Sequence, residues 1–370
     1  MRILQVFDFL SLPHGGGTVD IVHRLSQALS DRGHDVTICT GDFELDQPYI
    51  DQLYSVNVKV YSSWFNTFGM YVMPGIFKLD VRDYDVIHLH CLRSYQNAVI
   101  CSKSLKHNVP YIIDAHGSTV ELSGKKQIIR EIYDRVFGNT ILKNASRIIA
   151  ETDIGITEYE KLGADISRSV ILHPLIDASE YDSLPDAGTF RRKYNIREKY
   201  LVLFVGRIHW AKGIETLIDA TRNMNDVCLV IVGQDDGYRT TLERMPRGTI
   251  LFTGFLGGRD KLSAIVDADI LVQPSKNEAG ARPSLESILC DTPVIVTENT
   301  GAGKEIVKMD AGYLFEYGNV GQLSCAIKYI IDNYDKAQEK TQRAKRYIQD
   351  NLSLNNQIVK YEELYKGVMA

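Results

Sequence analysis

This sequence has no paired-cysteine motif, no long apolar run and no excess of positive charge, and each absence closes off a class of protein. Its six cysteines, Cys39, Cys91, Cys101, Cys228, Cys290 and Cys325, are scattered without a C-x-x-C spacing and lie mostly in apolar runs. They read as reduced core residues of a cytoplasmic protein, not as a disulfide framework. No stretch approaches the roughly 20 apolar residues that span a bilayer. The opening Met1-Arg2-Ile3-Leu4-Gln5-Val6-Phe7 meets Asp8 too soon for a secretory leader, so a cytoplasmic location is expected. A net charge of -5 leaves no general electrostatic grip on nucleic acid, and any anion site must be local.

What is present describes a folded protein too long for one hydrophobic core. At 370 residues, two domains are the starting expectation. Arg2 to Phe7 reads as a strand, His14 to Gly17 as a glycine-rich loop, Val19 to Ser30 as a helix and Val36 to Thr40 as a second strand. Apolar runs at Val86 to His90, Tyr111 to Asp114 and Arg147 to Ala150 continue the alternation, which implies a parallel sheet covered on both faces. His173-Pro174 and the polar residues through Gly188 form the linker candidate. A second series follows at Tyr200 to Val205, Val227 to Val232, Thr249 to Thr253, Ile270 to Gln273 and Pro293 to Thr297, and the chain ends in helices. The expected fold is α/β, two Rossmann-like doubly wound domains facing a cleft, where the ligands of such sheets bind. The expected division is 1–178, 179–352 and a last helix, 353–370, returning to the N-terminal domain.

The stretch richest in chemistry runs from Pro274 to Glu286, with Glu278 and Glu286 in E-x7-E spacing between a strand and a helix. Pro283 suits the first helical turn, and the amides of Ser284 and Leu285 together with the helix dipole would attract an anion. Taken alone, Glu278 could equally be a solvated loop residue and Glu286 a stabilising first-turn acid. Arg207 and Lys212 both emerge at the end of a strand, where a guanidinium and an ammonium could hold a departing diphosphate. Their bland reading is a solvated pair on a turn.

Gly206-Arg207, Ala211-Lys212-Gly213, the E-x7-E run, Thr292-Pro293-Val294-Ile295, Glu305-Ile306-Val307 and Asp310-Ala311-Gly312-Tyr313-Leu314-Phe315 resemble glycosyltransferase family 4, in that family's order. The N-terminal glycine-rich loop and Asp85-Val86-Ile87-His88-Leu89-His90 match as well, so the resemblance spans nearly the whole chain. It implies a GT-B fold and retaining transfer of a hexose-type sugar from a nucleotide-diphosphate donor, with UDP the family default. The acceptor would be a hydroxyl of a glycan, a glycolipid or a small molecule. By the same resemblance Arg207 and Lys212 would grip the diphosphate, Glu286 the ribose, and Glu278 the hydroxyls of the transferred sugar. Gly16 and Gly17 would let backbone approach the donor. The loop around Phe255 would read the base, Gly280 and Ala281 would shape the sugar pocket, and His116 would lie near the sugar. As an isolated histidine after a strand, His116 could equally be a core residue. The chain departs from the family at Gly280-Ala281, at Asp291 where glycine is usual, and at His173-Pro174.

No cofactor or metal is expected. Asp83-Tyr84-Asp85 and Asp267-Ala268-Asp269 have D-x-D spacing but directly precede apolar strands, and read as strand-edge residues. His88 and His90 share one strand face without a third ligand in view, which favours the core or a cleft edge over zinc. Trp64 to Pro74 reads as a core helix, with an acceptor-site or lipid contact as alternatives. Lys125, Lys126, Arg130, Arg135, Lys143 and Arg147, interleaved with Ile128, Ile129, Ile132, Val136 and Phe137, form a basic amphipathic candidate for peripheral membrane contact or, more plainly, a solvated helix face. A front-face mechanism, in which the departing phosphate oxygen takes the acceptor proton, fits better than double displacement, since no carboxylate nucleophile stands out. The alternatives are a nucleotide-sugar epimerase or hydrolase on the same fold and a non-catalytic sugar-nucleotide-binding protein.

Overall fold

Two runs of alternating strands and helices build two separate parallel sheets in the computed structural model, which describes residues 1–67, 70–118, 125–173, 175–246 and 248–369. The chain divides into one unit of Met1–Leu175 with Asn355–Ala370 and a second of Ile176–Leu354. Pro174 of the linker candidate lies outside the described residues.

The first unit holds β1 (Arg2–Phe9), β2 (Asp35–Gly41), β3 (Asn57–Tyr61), a ribbon of β4 (Phe65–Thr67) and β5 (Met70–Val72), then β6 (Val86–His90), β7 (Tyr111–Asp114), β8 (Arg147–Ala150) and β9 (Ser169–Ile171). Its seven-stranded sheet has the order β3-β2-β1-β6-β7-β8-β9, with Ile3 in register with both Val36 and Val86. The second unit holds β10 (Tyr200–Val205), β11 (Val227–Val232), β12 (Thr249–Gly254), β13 (Ile270–Gln273), β14 (Val294–Thr297) and β15 (Tyr313–Phe315), in the order β12-β11-β10-β13-β14-β15. In both sheets the order reverses beside the first strand, between β1 and β6 and between β10 and β13. Such a reversal leaves a crevice at the strands' carboxyl ends.

Strand alternation explains why each sheet is covered on both faces. Leu201, Leu203, Cys228 and Val230 enter one core of the second unit, while Val202, Phe204, Leu229 and Ile231 enter another. Successive side chains point to opposite faces, so a strand buried on both sides must be apolar throughout. The edge strand β3 is only half buried, and its sequence Asn57-Val58-Lys59-Val60-Tyr61 alternates instead.

Trp64 to Pro74 does not form the expected core helix. Within it β4 and β5 pair antiparallel, Phe65 opposite Val72, and Pro74 opens a short 3-10 turn. Aromatic and β-branched residues favour a ribbon as readily as a helix, and so short an apolar run is ambiguous. Phe68 and Gly69 lie outside the described residues.

The last helix, Leu354–Met369, packs within the first unit. Glu362 accepts from Arg32 Nε at 2.6 Å and lies 2.9 Å from His34 Nε2. The Arg32 guanidinium, with His34 behind it, holds the Glu362 carboxyl down to about 2 against the opposing effect of burial. Tyr361 and Tyr365 of the same helix are buried against strand residues.

Candidate active site

The crevice between β10 and β13 gathers part of the expected site. After β10 the chain turns through Trp210–Lys212 to Gly213, whose φ of 62° places it in the left-handed region. A Cβ there would stand 2.1 Å from Pro274 O, so the loops after β10 and β13 approach closer than any side chain allows. Lys276 N–H donates to Ala211 O at 2.9 Å across the same junction. Lys212 Nζ thereby lies 2.7 Å from Glu278 Oε2, and Ser275 Oγ donates to the same oxygen at 2.8 Å. Gly301 N–H donates to Glu278 O at 2.7 Å, and a Cβ on Gly301 would stand 1.8 Å from Ala279 O. The acid is thus held by its side chain and its backbone, with the Lys212 and Glu278 side chains 19% and 21% exposed.

Glu286 occupies a different setting. It is buried in the first turns of Arg282–Leu289, 2.8 Å from Lys261 Nζ and 3.3 Å from Arg282 Nε. Burial alone would push its carboxyl up, but Lys261 and Arg282 together hold it below the usual carboxylate range. The helix is capped at Ala281, so Pro283 is its second residue, and Leu285 N–H is already donated to Ala281 O at 2.8 Å. One of the two amides expected to face an anion is therefore engaged, because the helix starts a residue earlier than Pro283 suggests. Ser284 is buried and its hydroxyl donates to Gln273 Oε1. Ala281 is buried and Gly280 half-buried in the same turn.

Arg207 is not drawn into the Lys212 pair's contacts: its Nη1 lies 2.9 Å from Asp236 Oδ2, and its side chain is 56% exposed. Phe255 follows the end of β12, half-buried beyond Gly254, whose carbonyl accepts from Gly233 N–H at 2.9 Å.

In the first unit the glycine-rich loop lies inside a helical run, Leu12–Asp31, broken at Gly16 (φ 52°, ψ -127°). A Cβ on Gly16 would meet nothing within 4 Å, whereas one on Gly15 would stand 2.1 Å from Val19 Cγ2. Gly16 thus serves the backbone turn, Gly15 serves packing, and Gly17 is exposed. Asp8, buried at the end of β1, accepts from Ser94 Oγ at 2.6 Å and Gln96 Nε2 at 3.0 Å, and burial pushes its carboxyl up to about 7.

His116 follows β7 with a φ of 46°, its side chain 2% exposed. Its Nε2 is 2.8 Å from His90 Nδ1, and the two rings stack at an interplanar angle of 10°. His88 and His90 are fully buried in the same cluster. Burial lowers the pKa of His116, with Asp114 opposing, and keeps His88 and His90 far below the usual histidine value. The two D-x-D candidates hold the backbone: Asp85 accepts from Arg2 N, Asp267 from Arg191 N, and Asp269 from Leu201 N. Among the described residues, no group of three or more His, Cys, Asp or Glu side chains is placed to hold a metal ion, and no helix is long and apolar enough to cross a membrane.

Sequence reasoning missed Lys261, which sits on the preceding helix Gly258–Val266 and offers no local signal. Arg282 was readable as the partner four residues before Glu286. Gln5, Asp8 and Ser94 were also missed: Gln5 is a lone polar residue inside β1, Asp8 stands near that strand's end, and Ser94 caps the helix Tyr95–His107.

Two doubly wound parallel sheets, alike in fold to solved GT-B structures, define the GT-B fold. The chain belongs to glycosyltransferase family 4: the model described as Glycosyltransferase Family 4 matches residues 15–180, and that described as Glycosyl transferases group 1 matches residues 186–347. An uncharacterized glycosyltransferase of Methanocaldococcus jannaschii is 25% identical over 96% of this chain and 95% of its own. The GDP-mannose-dependent alpha-(1-6)-phosphatidylinositol dimannoside mannosyltransferase of Mycobacterium tuberculosis is 24% identical over 84% of this chain and 83% of its own. Among solved structures, Anabaena HepE in complex with UDP and glucose superposes with a TM-score of 0.83 at 19% identity, covering 99% of this chain and 100% of that one. At that identity the likeness speaks for the fold.

Proposed function

We propose that this glycosyltransferase moves a hexose-type sugar, with retention, from a UDP-sugar to a hydroxyl of a glycan, glycolipid or small-molecule acceptor, without a metal ion. The observation that carries the reading is the contact of Lys212 with Glu278 at the β10–β13 reversal. A cation and an acid joined there suit a ligand that is anionic at one end and rich in hydroxyls at the other. Lys212 and Arg207 would neutralise the diphosphate as the C1–O bond breaks, and Glu278 would accept from sugar hydroxyls. Glu286 would meet the ribose, beside Ser284 and Leu285, and Phe255 the base. Gly16 and Gly17 would give the first unit's backbone room beside the donor, and His116 would face the sugar. In a front-face reaction the acceptor oxygen bonds C1 on the side the diphosphate leaves, and its proton passes to the departing phosphate oxygen.

UDP is favoured by the UDP complexes of HepE, while the mycobacterial relative's GDP-mannose names the competing base. A ligand selective for the folded state raises the unfolding midpoint. The midpoint should therefore rise with UDP and not with GDP, and NMR of the transferred glycoside should show the donor's anomeric configuration. Stabilisation by GDP alone would overturn the base, an inverted product the retention, and a free epimer the transferase reading itself.

Contact with an anionic membrane surface is a further part of this reading. It is supported by exposed Ile128, Ile132, Val136 and Phe137 alongside Arg130 and Arg135. Equal co-sedimentation with neutral and anionic liposomes would remove it.

A further inference from the structure

A continuous line of polar groups crosses the interior of the first unit from the last helix to His116. Tyr365 OH lies 2.9 Å from His88 Nδ1 and accepts from Gln5 Nε2 at 3.3 Å. Gln5 Oε1 lies 2.6 Å from His90 Nε2, and His90 Nδ1 lies 2.8 Å from His116 Nε2. Gln5, His88, His90 and Tyr365 are all 0% exposed, so water does not substitute for any of these partners.

Such a line has one polarity. A glutamine amide donates at one end and accepts at the other, and so does a neutral imidazole. With Gln5 Oε1 facing His90, His90 carries its proton on Nε2 and accepts at Nδ1, which requires His116 to donate from Nε2. At the other end the Gln5 amide group donates to Tyr365, whose hydroxyl proton is then directed to His88 Nδ1. His116 Nδ1 is left bare, buried and without a hydrogen-bond partner, with Asp114 Oδ1 3.4 Å away.

We propose that Tyr365 is a positioning residue for His116: its hydroxyl orients the Gln5 amide, the amide selects the tautomer of His90, and His90 keeps the His116 proton on Nε2 and so fixes the state of the ring. The assignment rests on the reading of His116 as the residue that meets the sugar. Without the tyrosine hydroxyl the amide loses its anchor and can turn, and the opposite polarity, with the His116 proton on Nδ1 beside Asp114, becomes accessible.

The test is made on the full chain labelled with 15N-histidine, using long-range proton–nitrogen spectra assigned through His116→Asn and His90→Asn. Wild type should show His116 neutral and protonated on Nε2. Tyr365→Phe, and independently Gln5→Met, should move the His116 signals toward a mixture of tautomers while far-UV circular dichroism is unchanged. Transfer by Tyr365→Phe should lose about five-fold in kcat, the scale of one net neutral hydrogen bond, with the donor KM unaltered. A wild-type His116 protonated on Nδ1, or a pattern unmoved in both folded variants, would overturn the chain. An altered pattern with unchanged kcat would overturn the positioning role. Full transfer by His116→Asn would instead sink the reading of His116, with the spectra still judging the chain by themselves.

Discussion

Lys212 Nζ lies 2.7 Å from Glu278 Oε2, so the cation read as a diphosphate ligand and the acid read as a sugar ligand neutralise each other across the β10–β13 junction. The pair is partly sheltered, which keeps the two side chains in one place, and under the proposed reading an incoming donor would exchange its own charges into an existing arrangement. A site shaped in advance loses less on binding. Lys212→Ala should cost about 100-fold or more in kcat, the scale of one lost charge-stabilising contact. Glu278→Gln, which keeps the shape and removes the charge, should weaken use of the donor sugar more than binding of free UDP. Steady-state kinetics and calorimetric UDP titration separate the two, and wild-type turnover in both variants would refute the pair's role.

Glu286 is expected to matter for folding as well as for the donor. Glu286→Gln would leave Lys261 and Arg282 facing each other without their shared acid, and breaking a buried ion group from one side is strongly destabilising. Because Lys261 is 26% exposed and Arg282 14%, the loss should fall at the low end, about 2–3 kcal/mol. Thermal unfolding at neutral pH checks this. A midpoint equal to wild type would mean that the two cations find water or other partners at no cost.

The dock of the last helix should respond to acid. Glu362 has its ordinary value near 4.5 lowered to about 2 in the fold. A depressed carboxylate contributes stability that is complete above about pH 4.5 and is lost as the pH falls toward about 2. Glu362→Gln should therefore lower the unfolding midpoint at pH 7, and the gap from wild type should narrow as the pH falls through 4.5. A gap independent of pH would show that shape alone, not charge, anchors the helix.

Much of the fold was legible because parallel strands buried on both faces must be apolar at every position. Val227-Cys228-Leu229-Val230-Ile231-Val232 is such a run, buried throughout. The edge strands β3 and β9 escaped that signal, since an edge is half-solvated and its sequence mixes polar residues in. The ribbon at Phe65–Val72 was misread as a helix because a short apolar run carries no clear period. The candidate site was legible only as residue types, of which Lys212 and Glu278 are in contact. Its supports were not: Lys261 reaches Glu286 from another helix, and Gln5 meets His90 and Tyr365 through long-range packing. Asp291 is a partial case. Its departure from glycine was visible, and the structure keeps the left-handed φ of 63° that glycine would favour, with the carboxylate now bound by Lys345 at 2.8 Å.

The final helix, Leu354–Met369, also bears on how the polypeptide matures on the ribosome. Domains ordinarily fold in the order in which they are synthesised. Here Arg32, His34, Gln5 and His88, all made early, find partners in Glu362 and Tyr365, which are translated only after the second unit. The amino-terminal half must therefore leave the exit tunnel with a polar seam open and wait through translation of the entire second unit before it can close. A nascent-chain arrest placed just before Leu354 should hold that half in a protease-sensitive state that an arrest placed beyond Met369 resolves.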